Sequence, residues 1–565
     1  MEKFQQIPYK RPDMEAIRGE MEGCIGHFRK AEGYHQAMAA FRRMEGIESH
    51  LRTAFSLAYI RNTINTEDPY YDAEMDYLNR EMPRLLPLQK DFSESLLDSP
   101  YREEMEKNFG SHFFRVTEAR MRLQHPMIIE DKTEEAALVK EYQRIAAGCR
   151  TMFRGREVNF YGLLKGMQST DRETRKEAFT LWAALYEKAA EALDDVYDRM
   201  IRCRTRMAEK LGFPDYTHMA YLSRGRLDYT PEDVAAFRRQ IAETVVPACA
   251  RLLEAQAERI GVDKIRYYDE AFLFPEGNPD PIGDTETMLE NAGRMYRELS
   301  PETGEFFDFM TRYSLFDLET RNGKRQGGYC TSLPDYKAPF IFSNFNGTSA
   351  DVEVLTHEAG HAFENYTASR LQPIAQYYHS TSEINEIHSM AMEHFTYPWM
   401  ELFFGDQTEK YYFSHLWGNL MSIPYMACVD HFQHRVFEEP GMSADRRREV
   451  WKELEGVYLP WRDYDGQPYM EAGGFWMQKQ HIFMYPFYYI DYAMAQLGAF
   501  ALYGRMKEDP DRAWQDYLTL CRAGGSRPYG ELLALAKLPS PFTEGMVAGA
   551  VGHVIREIEE RQARL

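Results

Sequence analysis

The chain has 565 residues, and its 67 basic and 88 acidic side chains give a formal net charge of −21. A chain this acidic is not expected to bind nucleic acid or an anionic membrane surface. Its seven cysteines form no Cys-x-x-Cys pair, and the odd number favours free thiols in a reducing compartment over disulfides or a cysteine-bound metal.

The N-terminal segment mixes charges with prolines, and no segment shows the apolar run of a secretory signal or of a membrane span. This pattern predicts a cytoplasmic protein. Because 565 residues exceed the usual size of one hydrophobic core, we expect at least two subdomains.

Helix signals dominate the chain. Residues 14–65 and 70–125 are long stretches of polar and apolar periodicity with few prolines. Residues 172–211 have the pattern of one or two long helices that end at Gly212. The first 180 or so residues are therefore predicted to form a helical region.

Another helix is predicted from Pro231 to Ile260, because Thr230 suits an N-cap and Pro231 suits the first helical position. Strand signals concentrate between residues 310 and 348. We found no internal repeat. The predicted fold is mostly α, with one small β-sheet next to the segment described below.

Residues 357–361 read His-Glu-Ala-Gly-His. Two histidines four residues apart lie on one face of a helix and can share a metal ion, and the glutamate between them can act on a metal-bound water. The opposite face of this helix is apolar, with Val352, Leu355, Ala359, Ala362, Phe363 and Tyr366. Thr348 and Asp351 fit a capping box at its start. A surface helix with two incidental histidines would look similar, but it would require neither Glu358 nor Gly360.

A catalytic zinc site needs a third protein ligand and an open position. Some zinc proteases supply a third histidine shortly after the second, but Glu364 and Thr367 occupy the relevant positions here. A carboxylate from a later helix is the remaining common solution. The helix predicted over residues 382–397 offers three on one face, Glu383, Glu386 and Glu393.

We expect these three glutamates to have different roles. Glu383 completes a capping box with Ser380, which gives it a structural role. Glu393 lies two turns past Glu386 and suits a residue that orients a ligand histidine from behind. This geometry favours Glu386 as the metal ligand.

The run from Pro339 to Asn344 is predicted to be an edge strand, because proline is tolerated at a sheet edge. Such a strand can pair with an extended peptide and would bring Phe342 and Asn344 to the substrate. The alternative is that these aromatic residues fill the core beside the helix.

A cluster of tyrosines follows near residue 490. Tyr485, Tyr489 and Tyr492 recur at helical spacing, with His481 one turn earlier, and Tyr488 lies among them. A buried aromatic stripe would show the same spacing. However, phenols this dense favour a polar surface that faces a substrate.

Taken together, these segments resemble the M3 family of zinc metallopeptidases, and within it the branch of oligoendopeptidase F and Pz-peptidase-like enzymes. The resemblance covers most of residues 180–565. The matching segments are Gly328 to Ile341, Asn344 to Thr348, His357 to Ala362, Glu386-Ile387-His388-Ser389, His481 to Tyr492 and Gly524-Gly525-Ser526.

The resemblance implies the site. His357, His361 and Glu386, which lies 25 residues past His361, would hold one zinc ion per chain. Glu358 would act as general base and then acid, and His481 and Tyr492 are candidates to stabilise the oxyanion. Tyr485, Tyr488 and Tyr489 would contact the substrate.

It also implies an elongated helical fold, in which an N-terminal region (1–180) covers a catalytic region (181–565) across a deep channel. The expected activity is hydrolysis of internal bonds in short unstructured peptides. One alternative is an exo-acting carboxypeptidase or peptidyl dipeptidase, which would need a fixed Arg or Lys for the substrate carboxylate. The other is a non-catalytic peptide-binding protein with a structural metal, which would need a fourth protein ligand. The oligomeric state stays open.

Overall fold

Helices make up most of the chain, and the computed structural model describes residues 1–565. The helices are α1 (Met14–Arg29), α2 (Tyr34–Ile64), α3 (Pro69–Glu81), α4 (Leu86–Leu97), α5 (Arg102–Phe109), α6 (Ser111–Leu123), α7 (Ile129–Gly148), α8 (Phe160–Gly166), α9 (Arg172–Lys210), α10 (Tyr216–Ser223), α11 (Pro231–Ile260), α12 (Thr285–Leu299), α13 (Pro301–Arg312), α14 (Ser349–Leu371), α15 (Ser382–Phe395), α16 (Glu401–Phe404), α17 (Thr408–Glu438), α18 (Ala444–Tyr458), α19 (Pro468–Glu471), α20 (Gln480–Met484), α21 (Tyr489–Glu508), α22 (Pro510–Ala523), α23 (Tyr529–Leu535) and α24 (Met546–Gln562). The mostly α prediction is confirmed.

Local sequence determines several of these helices. Helix α11 begins at the predicted N-cap, Thr230. Thr230 forms a capping box with Asp233, in which the Thr230 side chain accepts from the backbone of Asp233 and the Asp233 side chain accepts from the backbone of Thr230. It ends at Gly261, whose left-handed φ of 71° suits a residue without a Cβ. The stretch predicted as one or two helices is the single helix α9.

Two small sheets complete the fold. Strands β1 (Thr151–Phe153) and β2 (Arg156–Val158) form a hairpin that the sequence patterns did not indicate. The other sheet contains β3 (Phe316–Glu319), β4 (Tyr329–Leu333) and β5 (Ala338–Phe345), in the order β3-β5-β4. It lies where the sequence predicted a sheet, directly before α14.

The prediction of an edge strand at residues 339–344 is wrong. Strand β5 is central, parallel to β3 on one side and antiparallel to β4 on the other. Pro339 is tolerated because β3 pairs with β5 only from Ile341 onward, so no strand faces the proline on that side. The edge strand next to the candidate site is β4.

The hydrophobic core has two parts. A cluster of 18 buried residues joins α1, α2, α4, α5 and α6 to Ile374 and Tyr377, and a cluster of 127 buried residues fills the rest of the molecule. The boundary expected at residue 180 falls inside α9, where Phe179 and Trp182 are both buried in the larger cluster.

The helices and the cysteines were also examined for membrane spans and disulfide bonds. Each helix is either too short or too polar to cross a membrane. All seven cysteines are free, five of them buried.

Candidate metal centre

Helices α14 and α15 cross at Gly360. A Cβ added to this glycine would lie 2.6 Å from the carbonyl oxygen of His388 and 2.6 Å from the Cα of Ser389, both on α15. Glycine at position 360 is therefore a packing requirement, because only a missing side chain lets the two helix backbones come this close. This contact brings Glu386 within reach of the two histidines.

The starts of these helices differ from the capping boxes that the sequence suggested. At α14 the Thr348 side chain makes no cap bond. The Asp351 carboxylate instead accepts from the backbone N–H groups of Asn346 and Gly347, at 3.0 Å and 2.7 Å. At α15 the N-cap is Thr381, not Ser380.

Glu383 is consequently not a capping residue. Its side chain is buried, and its Oε1 accepts from the Tyr229 hydroxyl at 3.1 Å. Burial, and then the neighbouring Asp491 carboxylate, raise the pKa of Glu383 to about 7. It lies on α15 with Glu386 but does not belong to the metal-binding cluster.

His357, His361 and Glu386 bring one ligand atom each to a common point. Glu386 Oε2 lies 3.3 Å from His357 Nε2 and 3.5 Å from His361 Nε2. Four tetrahedral ligands at the ~2.0–2.1 Å bond lengths of zinc would lie roughly 3.3–3.4 Å apart. The donor set and its spacing therefore fit a divalent metal ion with one position left open.

A chain of hydrogen bonds lies behind His357. Its Nδ1 is 2.6 Å from Glu393 Oε1, the other oxygen of Glu393 is 2.6 Å from His415 Nε2, and His415 Nδ1 is 2.6 Å from the Tyr397 hydroxyl. With its proton on Nδ1, His357 donates to Glu393 and turns the lone pair of Nε2 toward the metal position. Burial alone would raise the pKa of Glu393, but its hydrogen bonds with His357 and His415 outweigh burial and lower it to about 2.

Glu386 is held through both of its oxygens. Oε2, which faces the histidines, accepts from the Ser389 hydroxyl at 3.0 Å, and Oε1 accepts from the Tyr488 hydroxyl at 2.6 Å. Burial opposes ionisation, but the nearby histidines outweigh it and hold the pKa of Glu386 well below its usual range. Tyr488 thus contacts a candidate metal ligand, a role that its position among the tyrosines did not indicate.

A cavity of about 300 Å³ opens onto the three ligands. Its wall is formed by Gly328, Tyr329, Cys330, Thr331, His357, Glu358, His361, Glu364, Asn365, His379, Ser382, Asn385, Glu386, Tyr488 and Tyr492. Burial raises the pKa of Glu358, although His357 and His361 oppose the shift. Glu358 is therefore a carboxyl group with raised proton affinity beside the open metal position, which suits a general base.

The tyrosine segment is not one continuous helix. Helix α20 ends at Met484, Phe487 has a left-handed φ of 60°, and α21 begins at Tyr489. The expectation that Tyr485, Tyr489 and Tyr492 share one helical face is therefore wrong. Tyr488 and Tyr492, four residues apart, are the pair that lines the cavity.

The other members of this segment lie elsewhere. Tyr485 is 46% exposed and does not line the cavity. The Tyr489 hydroxyl accepts from Lys479 Nζ at 3.0 Å, so it is engaged away from the metal position. His481 lies behind the lining pair, stacked on Tyr488 with ring centroids 5.9 Å apart, and its buried Nδ1 has no partner. Burial, and then Lys479, lower the pKa of His481 to about 3.

Phe342 and Asn344 do not reach the cavity. Phe342 is fully buried in β5, where its ring stacks on Tyr329. The Asn344 amide donates to the carbonyl oxygens of Arg325 and Gly327, both at 2.8 Å. Their predicted role as substrate contacts is corrected to a structural one, because β5 is paired on both sides.

Comparisons of the sequence with protein-family models, and of the structure with solved structures, both find peptidases of family M3 or similar to it. The model of "Peptidase family M3" matches residues 166–277 and 305–551, and the model of "Peptidase M3 N-terminal domain" matches residues 4–124. Among solved structures, the chain is similar to Pz peptidase A determined with an inhibitor, at 42% identity and a TM-score of 0.95, over 99% of this chain and 100% of that one.

Two related sequences are less similar to this chain than Pz peptidase A is. Group B oligopeptidase PepB of Streptococcus agalactiae serotype III (strain NEM316) is 23% identical over 224 residues, which are 38% of this chain and 34% of that protein. The chromosomal oligoendopeptidase F of Lactococcus lactis subsp. cremoris is 22% identical over 390 residues, which are 68% of this chain and 62% of that protein. The chain thus spans less than two thirds of either relative. Because the M3 model matches more than half of the chain around a two-histidine, one-glutamate centre, the protein belongs to peptidase family M3.

Proposed function

We propose that the protein is a zinc-dependent endopeptidase that hydrolyses internal bonds of short, unstructured peptides. The observation that carries this proposal is the ligand set of His357, His361 and Glu386, with the buried Glu358 beside it in an open cavity. A structural metal site would be closed by a fourth protein ligand. The cavity at the fourth position, together with Glu358, supports catalysis instead.

His357, His361 and Glu386 would hold one zinc ion per chain. When bound there, zinc supplies a water of lowered pKa and polarises the scissile carbonyl. Glu358 accepts the proton of the attacking water and passes it to the leaving amine, for which its raised proton affinity is suited.

Tyr492 and His481 are the proposed donors to the oxyanion. The side chain of Tyr492 lines the cavity, whereas His481 does not line it but stacks on Tyr488 and has an unpartnered Nδ1. A pKa of about 3 means that His481 is neutral near pH 7, so it offers one N–H and no charge. A positioned donor of this kind typically contributes about 10²–10³-fold to kcat.

The free edge of β4 is the proposed docking strand for the peptide backbone. It carries Tyr329, Cys330 and Thr331 into the cavity wall, and its other edge is already paired with β5. A substrate that adds to this edge gains backbone hydrogen bonds that do not depend on its side chains. This arrangement suits an enzyme that acts on varied peptides.

The cavity wall favours internal cleavage over the exo-acting alternative. A carboxypeptidase or peptidyl dipeptidase binds the terminal carboxylate close to the metal and needs a cationic side chain there. No Arg or Lys is among the residues that line the metal cavity, although Arg52 and Lys337 line the adjoining cavity that shares Thr331, Asn365 and His379 with it. We also propose a cytoplasmic location, because all seven cysteines are free thiols.

The decisive experiment uses a peptide of about ten residues with an acetylated N-terminus and an amidated C-terminus. We expect mass spectrometry to show cleavage at internal bonds, and we expect a chelator to abolish it and added zinc to restore it. A peptide that is cut only when its C-terminus is free would support the exo-acting alternative. Cleavage that persists after complete metal removal would refute the proposed metal chemistry.

A further inference from the structure

Phe487, the residue directly before the cavity tyrosines, has an unusual backbone. Its φ of 60° lies in the left-handed region, and its side chain is fully buried. Bulky residues rarely adopt this conformation and keep it only where their surroundings hold it in place. The side chains that hold Phe487 therefore determine how the chain enters α21.

Both peptide groups of Phe487 are bound by buried side chains. Its N–H donates to Gln433 Oε1 at 2.8 Å, and its carbonyl oxygen accepts from Arg226 Nη2 at 2.6 Å. Arg226 Nη2 also donates to Asp491 Oδ1 at 2.6 Å, and neither of these charged side chains is exposed. Arg226, Gln433 and Asp491 are called the Phe487 clamp below.

The clamp is continuous with the metal centre through Ser382 and Arg224. The Ser382 hydroxyl, at the start of α15, donates to Asp491 Oδ2 at 2.6 Å and accepts from Arg224 Nη2 at 2.9 Å. The Arg224 guanidinium carbon lies 4.5 Å from the ring centroid of Tyr488. The same buried cluster therefore contacts the helix that carries Glu386 and the tyrosine that binds Glu386.

We propose that the Phe487 clamp positions Tyr488 and Tyr492 for catalysis, with Arg226 and Gln433 as positioning residues that touch neither metal nor substrate. If the clamp is lost, Phe487 relaxes toward an ordinary backbone conformation. The change at Phe487 then turns Tyr488 away from Glu386 and shifts the first turn of α21. This inference rests on the proposed function, because it assigns the clamp to the same reaction.

Two single variants each remove one contact of the clamp. Arg226→Met removes the donor to the Phe487 carbonyl oxygen, and Gln433→Leu removes the acceptor of the Phe487 N–H. Each should lower kcat by about 10²-fold, the usual effect of losing a positioned oxyanion donor. KM should change by less than about 3-fold and metal content should stay stoichiometric, because the ligands are intact. If Arg226→Met does not fold, the kcat of Gln433→Leu alone tests whether the clamp positions the tyrosines.

Arg175→Met is the matched control. Arg175 is equally buried, binds Asp269 through Nε and Nη2, and binds the carbonyl oxygens of Ser169 and Thr170, but it lies outside the residues that line the metal cavity. It should lower stability while leaving kcat of the folded enzyme within about 3-fold. Losses of kcat in the clamp variants that are no larger than in this control would overturn the inference.

A double-mutant cycle separates positioning from a general structural effect. In a Tyr488→Phe/Tyr492→Phe background the hydroxyls that the clamp positions are already gone, so Arg226→Met should cost less than about a further 3-fold in kcat. A full 10²-fold loss in that background would show that the clamp does not act through the tyrosines. The activity of the wild-type enzyme is measured before that of any variant. A wild-type enzyme that cuts no peptide would refute the proposed function rather than the role of the clamp.

Discussion

At the scale of single residues, the site gives identical chemical groups opposite properties. Glu358 and Glu386 are both buried carboxyl groups in one cavity. Burial dominates for Glu358 and raises its pKa, whereas the histidines dominate for Glu386 and lower its pKa. One glutamate is thereby suited to accept a proton, and the other is suited to stay ionised as a metal ligand.

Glu358→Gln should keep the metal and lose nearly all turnover. The substitution preserves size and removes the proton acceptor, and losing a general base typically costs about 10²–10⁴-fold in kcat. Elemental analysis and initial rates on one peptide test both parts. A variant with more than a tenth of wild-type activity would exclude Glu358 as the base.

Glu386→Ala should lose the metal, whereas Glu383→Ala should keep it. The two residues share a helix, but only Glu386 has an oxygen near the ligand nitrogens of His357 and His361. Metal content after dialysis is the measurement, with Glu383→Ala as the control for damage to α15. Retention in the first variant and loss in the second would reverse the assignment.

Glu383 should also give the protein a pH-dependent stability. Its folded pKa of about 7 lies above the ordinary value of 4.5, so the folded state binds the proton more tightly than the unfolded state. The contribution of Glu383 to stability is therefore fully present below about pH 4.5 and is lost as pH rises past 7, by roughly 3 kcal/mol.

Glu383→Gln removes this titration and keeps the hydrogen-bond acceptor for Tyr229. The wild type should lose more thermal stability than the variant between pH 5 and pH 8, which calorimetry at matched metal content measures. Parallel melting curves across this range would show that Glu383 does not titrate as expected.

The sequence predicted the part of the site that follows from helical spacing. His357, Glu358 and His361 are close along one helix, and Glu386 and Glu393 recur on another. The roles of His415 and Tyr397 were not predicted, because both residues lie outside α14 and α15 and no local pattern marks them: His415 contacts Glu393, and Tyr397 contacts His415. Contacts between distant elements depend on packing, which periodicity does not encode.

At the scale of secondary-structure elements, the metal centre depends on how closely two helices approach. Helix α14 presents an apolar back to the core, and Gly360 lets its front meet the backbone of α15. The bounds of α9, α11 and α15 follow the patterns of periodicity, caps and prolines. The chain order within the sheet and the break at Phe487 were not predicted, because both depend on tertiary contacts.

Gly360→Ala should lower metal affinity and stability together. The new methyl group would lie 2.6 Å from backbone atoms of α15, so the helices must separate and carry Glu386 away from the histidines. The loss of stability should be about 1–3 kcal/mol. Metal titration and thermal melting measure the two effects.

Gly418→Ala is the matched control, since Gly418 lies within α17 and a Cβ there meets no atom within 4 Å. It should be neutral or slightly stabilising, as alanine favours helix more than glycine does. Wild-type metal affinity in Gly360→Ala would contradict the proposed role of this helix contact.

At the scale of the whole molecule, three cavities follow successive turns of α14. The metal cavity lies at residues 357–365, a cavity of about 560 Å³ includes Ser349 and Glu353, and a cavity of about 310 Å³ includes Asn365 and Ser369. The metal cavity and the last one share Thr331, Asn365 and His379. We propose that this row is the substrate path along which the predicted channel runs.

The length of this row sets the substrate size that we expect. From Ser349 to Ser369 the helix advances 20 residues, which is about 30 Å at a rise of ~1.5 Å per residue. An extended peptide covers that distance with about nine residues at ~3.3 Å each. In a series of blocked peptides, kcat/KM should therefore rise with length up to about nine residues and then stop rising.

Folded proteins should resist cleavage altogether. A domain of about 100 residues has a radius of gyration near ~13 Å, which is too wide for cavities that admit one extended strand beside β4. Product analysis should thus show a short peptide cut quickly and a folded domain carrying the same sequence in a helix left intact. The control is that domain after denaturation and alkylation, which presents the sequence as an extended chain. Cleavage of the folded domain at the rate of the free peptide would show that the metal centre lies on an open surface, and the row of cavities would then not limit access.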